Sequence, residues 1–166
     1  MKTVFLIRHA KSSWDDLSIT DFDRPLNDRG KRDAPVMAER LLSKEITIDT
    51  FISSPAKRAK KTAEIFAEKY GLKKGEILFF PTLYHASDAT YYELIANAPL
   101  KSQSLAIFSH NPGITDFANQ LTTNKIDNMP TCAVFAVKVD IKDWSEFKNA
   151  TKDFYFFDFP KSKKDD

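Results

Sequence analysis

The sequence predicts an α/β fold, a three-layer αβα sandwich around a mainly parallel sheet with an antiparallel edge. Short apolar, strand-like runs alternate with longer stretches whose apolar residues recur at helical spacing, the order that builds parallel strands with covering helices. The last two strand-like runs follow one another with no helical stripe between them, which places them at a sheet edge or antiparallel. With 166 residues, 42% of them hydrophobic and 14 of them Phe, the chain has enough apolar material for one sizeable core.

Taken in order, residues 3–8 read as a buried strand, and a long polar loop follows from His9 to about Asn27. Ala34, Met37, Ala38, Leu41 and Leu42 fall at helical spacing. Pro35 has no N–H to donate, so this helix either begins near Asp33 or carries an irregular first turn. Thr50 to Ser53 is a short strand, and Ser54-Pro55 reads as the N-cap and first residue of the next helix. Its stripe is Ala59, Thr62, Ala63, Phe66, Ala67 and Tyr70, and Gly71 ends it. Ile77 to Phe80 is another strand. Asp88 caps a helix that buries Tyr91, Leu94, Ile95 and Ala98. Leu105 to Ser109 is a strand, and Asn111-Pro112 opens a helix with Ile114, Phe117, Ala118 and Leu121 on one face. Cys132 to Val139 and Phe154 to Phe159 are the final strands. The expected organisation is one domain over residues 1–160 and a disordered tail over 161–166.

The charges nearly cancel, 25 Lys and Arg against 23 Asp and Glu for a net +2, which gives no footprint of nucleic-acid binding. The one cysteine, Cys132, excludes an internal disulfide and sits in an apolar run, so a buried core thiol is expected. The sequence carries no signal-like or membrane-length apolar run, so a cytoplasmic monomer without a membrane partner is the expectation.

Ligands in such sheets bind beyond the carboxyl ends of the strands, and three strand ends here carry chemistry. The first gives Arg8 and His9. The second leads through Ser53-Ser54-Pro55 to Arg58, early in a helix. The third gives His110, just before a helix start. Each has an ordinary reading alone: His9 as a hydrogen-bonded loop histidine, Arg58 as a solvated helix residue beside Lys57, Lys60 and Lys61, His110 as a loop organiser. Together they offer two planar cations for phosphoryl oxygens and a nucleophilic imidazole beside them. A metal site from His9, His85, His110 and Asp15 is disfavoured, because Arg8 and Arg58 would repel a dication.

Leu6-Ile7-Arg8-His9-Ala10, Ser53-Ser54-Pro55 with Arg58-Ala59 and Thr62-Ala63, and Ser109-His110-Asn111-Pro112-Gly113 resemble, in order, three motifs of the histidine phosphatase superfamily, the phosphoglycerate mutase-like fold. Asp23-Arg24-Pro25-Leu26-Asn27 and the short chain resemble its SixA-type branch of phosphohistidine phosphatases. The resemblance implies catalytic roles for His9 as the phosphorylated nucleophile, Arg8 and Arg58 as clamps on the phosphoryl oxygens, and His110 as a further hydrogen-bond donor to that group. It implies that Arg24 adds a phosphate contact, although a salt bridge within the acidic loop of Asp21 and Asp23 is the competing reading. Neither metal nor other cofactor is implied. The implied partner is a protein bearing phosphohistidine, such as a phosphotransfer domain, or a small phosphorylated substrate. Hydrolysis of small phosphomonoesters and phosphate recognition without turnover are the alternatives.

The sequence departs from the family pattern at Ala10, where Gly is usual, at Ser109, also for Gly, and at Asp15, where mutase-like members tend to carry Asn. No Glu follows Leu83 to serve as general acid; His85 and Asp88 are the nearby groups that could donate a proton. An alkoxide leaving group benefits from such an acid. A phosphohistidine already protonated on its other nitrogen leaves as neutral imidazole and needs less help.

Overall fold

The computed structural model describes residues 1–162. The strands are β1 (Lys2–Arg8), β2 (Thr50–Ser53), β3 (Leu78–Phe79), β4 (Ser104–Ser109), β5 (Val134–Val139) and β6 (Lys152–Asp158). They lie in the order β3-β2-β4-β1-β5-β6. The first four are parallel, β5 is antiparallel to β1, and β6 is antiparallel to β5. The helices are α1 (Asp28–Ser43), α2 (Lys57–Lys69), α3 (Asp88–Ala96) and α4 (Gly113–Leu121). The αβα sandwich with an antiparallel edge is therefore present.

Alternation along β1 divides the core. Phe5 and Ile7 pack with Ala34, Met37, Ala38 and Leu41 of α1 and with Ala63, Phe66 and Ala67 of α2. Val4 and Leu6 pack on the other face with Tyr91 and Ile95 of α3 and Ile114, Phe117 and Ala118 of α4. Because β4 inserts between β2 and β1, the carboxyl ends of these three strands stand side by side. Pairing continues past them: His9 N donates to Ser109 O at 3.1 Å, and Ser54 N to Phe108 O at 3.0 Å.

Several boundaries differ from the sequence expectation. α1 starts at Asp28, because the Asn27 side chain accepts from Gly30 N at 2.9 Å and caps it. Pro35 lies inside this helix, where one missing N–H is outweighed by four residues buried on the sheet. Gly30 is required for a different reason: a Cβ there would stand 2.2 Å from Lys11 O, so α1 begins pressed against the loop after His9. α2 starts at Lys57, with Ala56 rather than Ser54 at the N-cap. α3 is capped by Ser87, whose side chain accepts from Thr90 N, and Asp88 is its first helical residue. Ala98 is buried but lies past the end of that helix.

Cys132 is free and fully buried, as expected, and precedes β5. It has φ +62°, and its N–H lies between Arg8 O at 3.1 Å and His9 O at 3.0 Å. Lys161 and Ser162, expected in a disordered tail, form a turn closed by Ser162 N donating to Phe159 O at 2.9 Å. The rest of that expected tail, 163–166, lies outside the described residues. Among the described residues, no helix is long and apolar enough to cross a membrane.

Candidate active site

The end of β1 delivers Arg8 and His9 into a cleft bounded by the start of α2, the end of β4 and the loop before α3. His9 is 5% exposed, and its Nδ1 lies 2.7 Å from Ala10 O. A carbonyl oxygen only accepts, so Nδ1 carries the proton and Nε2 keeps its lone pair. Arg58 Nε donates to that Nε2 at 3.3 Å. Burial pushes the His9 pKa well below the ordinary imidazole value, and His110, Arg58 and Arg8 push the same way against the Ala10 hydrogen bond. His9 is thus a neutral imidazole with its free lone pair on the arginine side.

Ala10 keeps an ordinary negative φ, so the alanine in place of the family's glycine is accommodated. Its N–H donates to Thr62 Oγ1 at 3.0 Å, and the Thr62 hydroxyl donates to Arg58 O at 2.8 Å. This buried threonine ties the loop that fixes the His9 tautomer to the helix turn that carries Arg58.

Arg8 Nη1 donates to Met129 O at 2.9 Å, while its Nε is buried with no hydrogen-bond partner among the described residues. Burial and the nearby Arg58 charge lower the Arg8 pKa. The His110 ring lies 5.1 Å from the His9 ring. Its Nε2 is 2.8 Å from Ser54 Oγ, and its Nδ1 is buried and unpartnered among the described residues. Burial, then Arg58, pushes its pKa down to about 3. Ser54, expected as a helix cap, instead accepts from Ala56 N at 3.2 Å and pairs with this histidine.

Two residues that sequence reasoning did not assign to the site close the cleft. Asp21 receives Arg58 Nη1 on its backbone oxygen at 2.6 Å and Nη2 on Oδ2 at 3.0 Å. The Tyr84 hydroxyl donates to the same Oδ2. The Tyr84 ring meets His110 edge-on at 5.4 Å and lies 5.9 Å from the Arg58 guanidinium carbon. The Tyr84 hydrogen bond, with Arg58 and Arg24 beside it, holds the Asp21 carboxyl well below the usual carboxylate range.

Arg24 takes its place in this network by the salt-bridge reading. Its Nε donates to Asp21 Oδ1 at 3.1 Å, its Nη1 to Ser12 Oγ at 2.7 Å and Ser13 O at 3.3 Å, and its guanidinium lies 3.6 Å from the centre of the Trp14 ring. The partner is Asp21; Asp23 instead accepts from Thr20 Oγ1 at 3.0 Å. Arg24 is therefore linked to Arg58 through one shared carboxylate.

Of the two acid candidates, only His85 borders the site. Its ring is tilted against that of Tyr84, 4.2 Å between centres, and it lines, with His110, Asn111, Gly113 and Asp116, a cavity of about 290 Å³. The Asp88 carboxylate accepts from the Gln120 side chain of α4. Asp15 is exposed on its loop. Ser109, which stands where the family pattern has Gly, is fully buried and donates to Leu83 O at 3.0 Å, tying β4 to the turn before Tyr84. Among the described residues, no three His, Cys, Asp or Glu side chains gather as a metal site requires.

A family model described as the histidine phosphatase superfamily (branch 1) matches residues 4–77. An uncharacterized chloroplastic protein of Arabidopsis thaliana is 31% identical over 153 residues, covering 87% of this chain and 70% of that one. The chain belongs to the histidine phosphatase superfamily. A candidate phosphohistidine phosphatase SixA from Agrobacterium tumefaciens shares its fold with a TM-score of 0.80 at 24% identity, over 96% of this chain and 98% of that one. A protein histidine phosphatase SixA solved with tungstate superposes with a TM-score of 0.76 at 22% identity, over 95% and 97% of the two chains. The architecture is thus the phosphoglycerate mutase-like fold of these neighbours. In this superfamily member, the matched segment contains Arg8, His9, Asp21, Arg24 and Arg58, whereas His110 reaches the cluster only through the placement of β4 beside β1.

Proposed function

We propose that this histidine phosphatase superfamily member hydrolyses phosphohistidine on a partner protein through a phospho-His9 intermediate. One observation carries the reading: His9 is a neutral imidazole whose proton is fixed on Nδ1, so the Nε2 lone pair faces Arg58. A phosphoryl group seated there meets the nucleophile and the cation together. The Nε2 lone pair forms an N–P bond as the substrate's own P–N bond breaks. Arg8, Arg58 and His110 balance charge on the equatorial oxygens. Water then cleaves phospho-His9, releasing phosphate and restoring the imidazole.

The choice of leaving group rests on the acid. Asp88 is engaged with Gln120, and Asp21 is held ionised, so neither offers a proton. Imidazole leaving from a protonated phosphohistidine makes no such demand. His85 on the shared cavity favours the second reading, hydrolysis of a small phosphomonoester, since it would be the group to protonate an alkoxide.

The test compares turnover of a phosphohistidine protein and of sugar phosphates, in the presence of chelator, for wild type and His9→Ala. The expected result is turnover of the phosphoprotein, an acid-labile phosphoenzyme trapped on wild type, and neither with His9→Ala. Near-normal rates in His9→Ala overturn the mechanism, and sugar-phosphate hydrolysis without phosphohistidine turnover selects the second reading.

A further inference from the structure

We infer that Asp21 is the positioning residue for Arg58, holding the outer end of the guanidinium so that its Nε edge faces the His9 imidazole. This rests on the proposed role of Arg58 as a phosphoryl clamp. Arg58 is planar and has five donor hydrogens in a fixed fork. Asp21 takes both terminal nitrogens, Nη1 on its backbone oxygen at 2.6 Å and Nη2 on its carboxylate at 3.0 Å. His9 Nε2 receives the remaining nitrogen, Nε, at 3.3 Å. The two sets of contacts fall on different parts of the fork, so a phosphoryl group arriving at His9 finds Arg58 already oriented and has no reason to displace Asp21.

The carboxylate is itself fixed from three directions. Oδ2 accepts from Arg58 and from the Tyr84 hydroxyl, while Oδ1 accepts from Arg24. Arg24 is in turn set by Ser12, Ser13 and the Trp14 ring. An asparagine would not reproduce this arrangement, because its amide nitrogen is a donor and would have to face another donor, at Arg24 or at Arg58 and Tyr84. Its neutrality would also leave two arginines without the anion that separates their charges. The depressed Asp21 carboxyl keeps that anion present throughout the neutral range.

The decisive experiment combines Asp21→Asn with Arg58→Ala in a double-mutant cycle on the phosphohistidine protein, alongside tungstate binding and the Arg58 Nε–H resonance of the full chain. Asp21→Asn should lower kcat by about 10–100-fold, the range expected when a clamp loses its alignment. Tungstate affinity should fall, since a guanidinium that has lost its alignment grips the oxyanion less well; a tighter complex would overturn the inference. In the Arg58→Ala background the Asp21 substitution should add nothing, which a purely structural role would not produce. Tyr84→Phe leaves the carboxylate on Arg58, and its fall in kcat should be smaller.

The Arg58 Nε–H resonance should be dispersed and slow to exchange in wild type, and collapse toward free arginine in Asp21→Asn. A rise in kcat/KM for Asp21→Asn would overturn the inference and make Asp21 a blocker of the cleft. An undiminished effect in the Arg58→Ala background, or an unchanged Nε–H resonance, would overturn it as well. Absence of any wild-type turnover would defeat the functional reading alone, because the resonance still reports whether Asp21 orients Arg58.

Discussion

Lowering the pH from about 7.5 to about 5 should destabilise the protein through its buried histidines, and His110→Gln should remove about 2 kcal/mol of that loss. An unfolded histidine titrates near 6.5, whereas folded His110 is pushed down to about 3 by burial and by Arg58. Between these values the unfolded chain binds a proton that the folded chain refuses, so stability falls as pH falls through the window. At about pH 5 the unfolded imidazole is some 1.5 pH units below its pKa, which at about 1.4 kcal/mol per unit gives about 2 kcal/mol. Any folded value below about 4 gives the same figure at that pH, so the prediction does not depend on the depth of the shift. His9 is lowered in the same direction and adds to the wild-type loss. Asp21, whose carboxyl is lowered, loses its contribution only below the range of ordinary carboxylates and stays outside this window. Urea unfolding of wild type and His110→Gln at the two pH values measures the difference directly. A pH-dependent loss that is the same in both proteins to within about 0.5 kcal/mol, or a His110 ring resonance that titrates near 6.5, would refute the reasoning.

Asp158→Ala should destabilise by about 3–5 kcal/mol in urea unfolding, because the fully buried carboxylate receives Arg40 Nη1 at 3.2 and 3.3 Å, Lys44 Nζ at 3.5 Å and Phe159 N at 2.9 Å. Thr62→Val keeps the shape but leaves the buried Ala10 N–H without its acceptor, so a loss of about 1–3 kcal/mol should accompany a fall in kcat/KM; stability within about 0.5 kcal/mol of wild type would show that the bond is dispensable. Across a series of aryl phosphates, kcat/KM should climb steeply with leaving-group acidity and be unaffected by His85→Ala, whereas a shallow dependence that steepens in His85→Ala would reveal a working general acid.

The clustered residues were legible where the chain itself marks a place. Arg8 and His9 close an apolar strand, Arg58 opens a helix after a strand, and His110 stands between β4 and α4, so parallel topology alone brings them to one edge. Helix starts were harder. Ser54-Pro55 has the composition of a cap, but its hydroxyl has a better use beside a buried histidine, and tertiary contact overrides the local preference. Pro35 read as a boundary because its lost hydrogen bond is local, while the burial that offsets it is distributed over α1 and visible only in the folded core. Asp21 and Tyr84 had no such marker. Asp21 opens a single 3-10 turn and Tyr84 closes another, both too short to show periodicity and 63 positions apart, and only the closure of the first over α2 gives them a common partner in Arg58.

On the proposed mechanism, a single N–H of Arg58 explains why the resting site is already arranged for attack. In the free site, the Arg58 Nε–H points at the His9 lone pair, which holds the imidazole in place and advertises the lone pair's direction. Once that lone pair forms the N–P bond, it no longer accepts, and the same Nε–H is left beside the transferred oxygens. On this mechanism the guanidinium can change partner without rotating, because Asp21 already holds its outer end in the resting site. At the other end of the ring, positive charge develops on His9 as Nε2 binds phosphorus. The Nδ1–H that donates to Ala10 O at 2.7 Å then becomes a charge-assisted donor, and its hydrogen bond strengthens as the intermediate forms. The burial that keeps the resting imidazole neutral and the carbonyl that favours its charged form thus act at successive steps, the first making the nucleophile and the second stabilising its product.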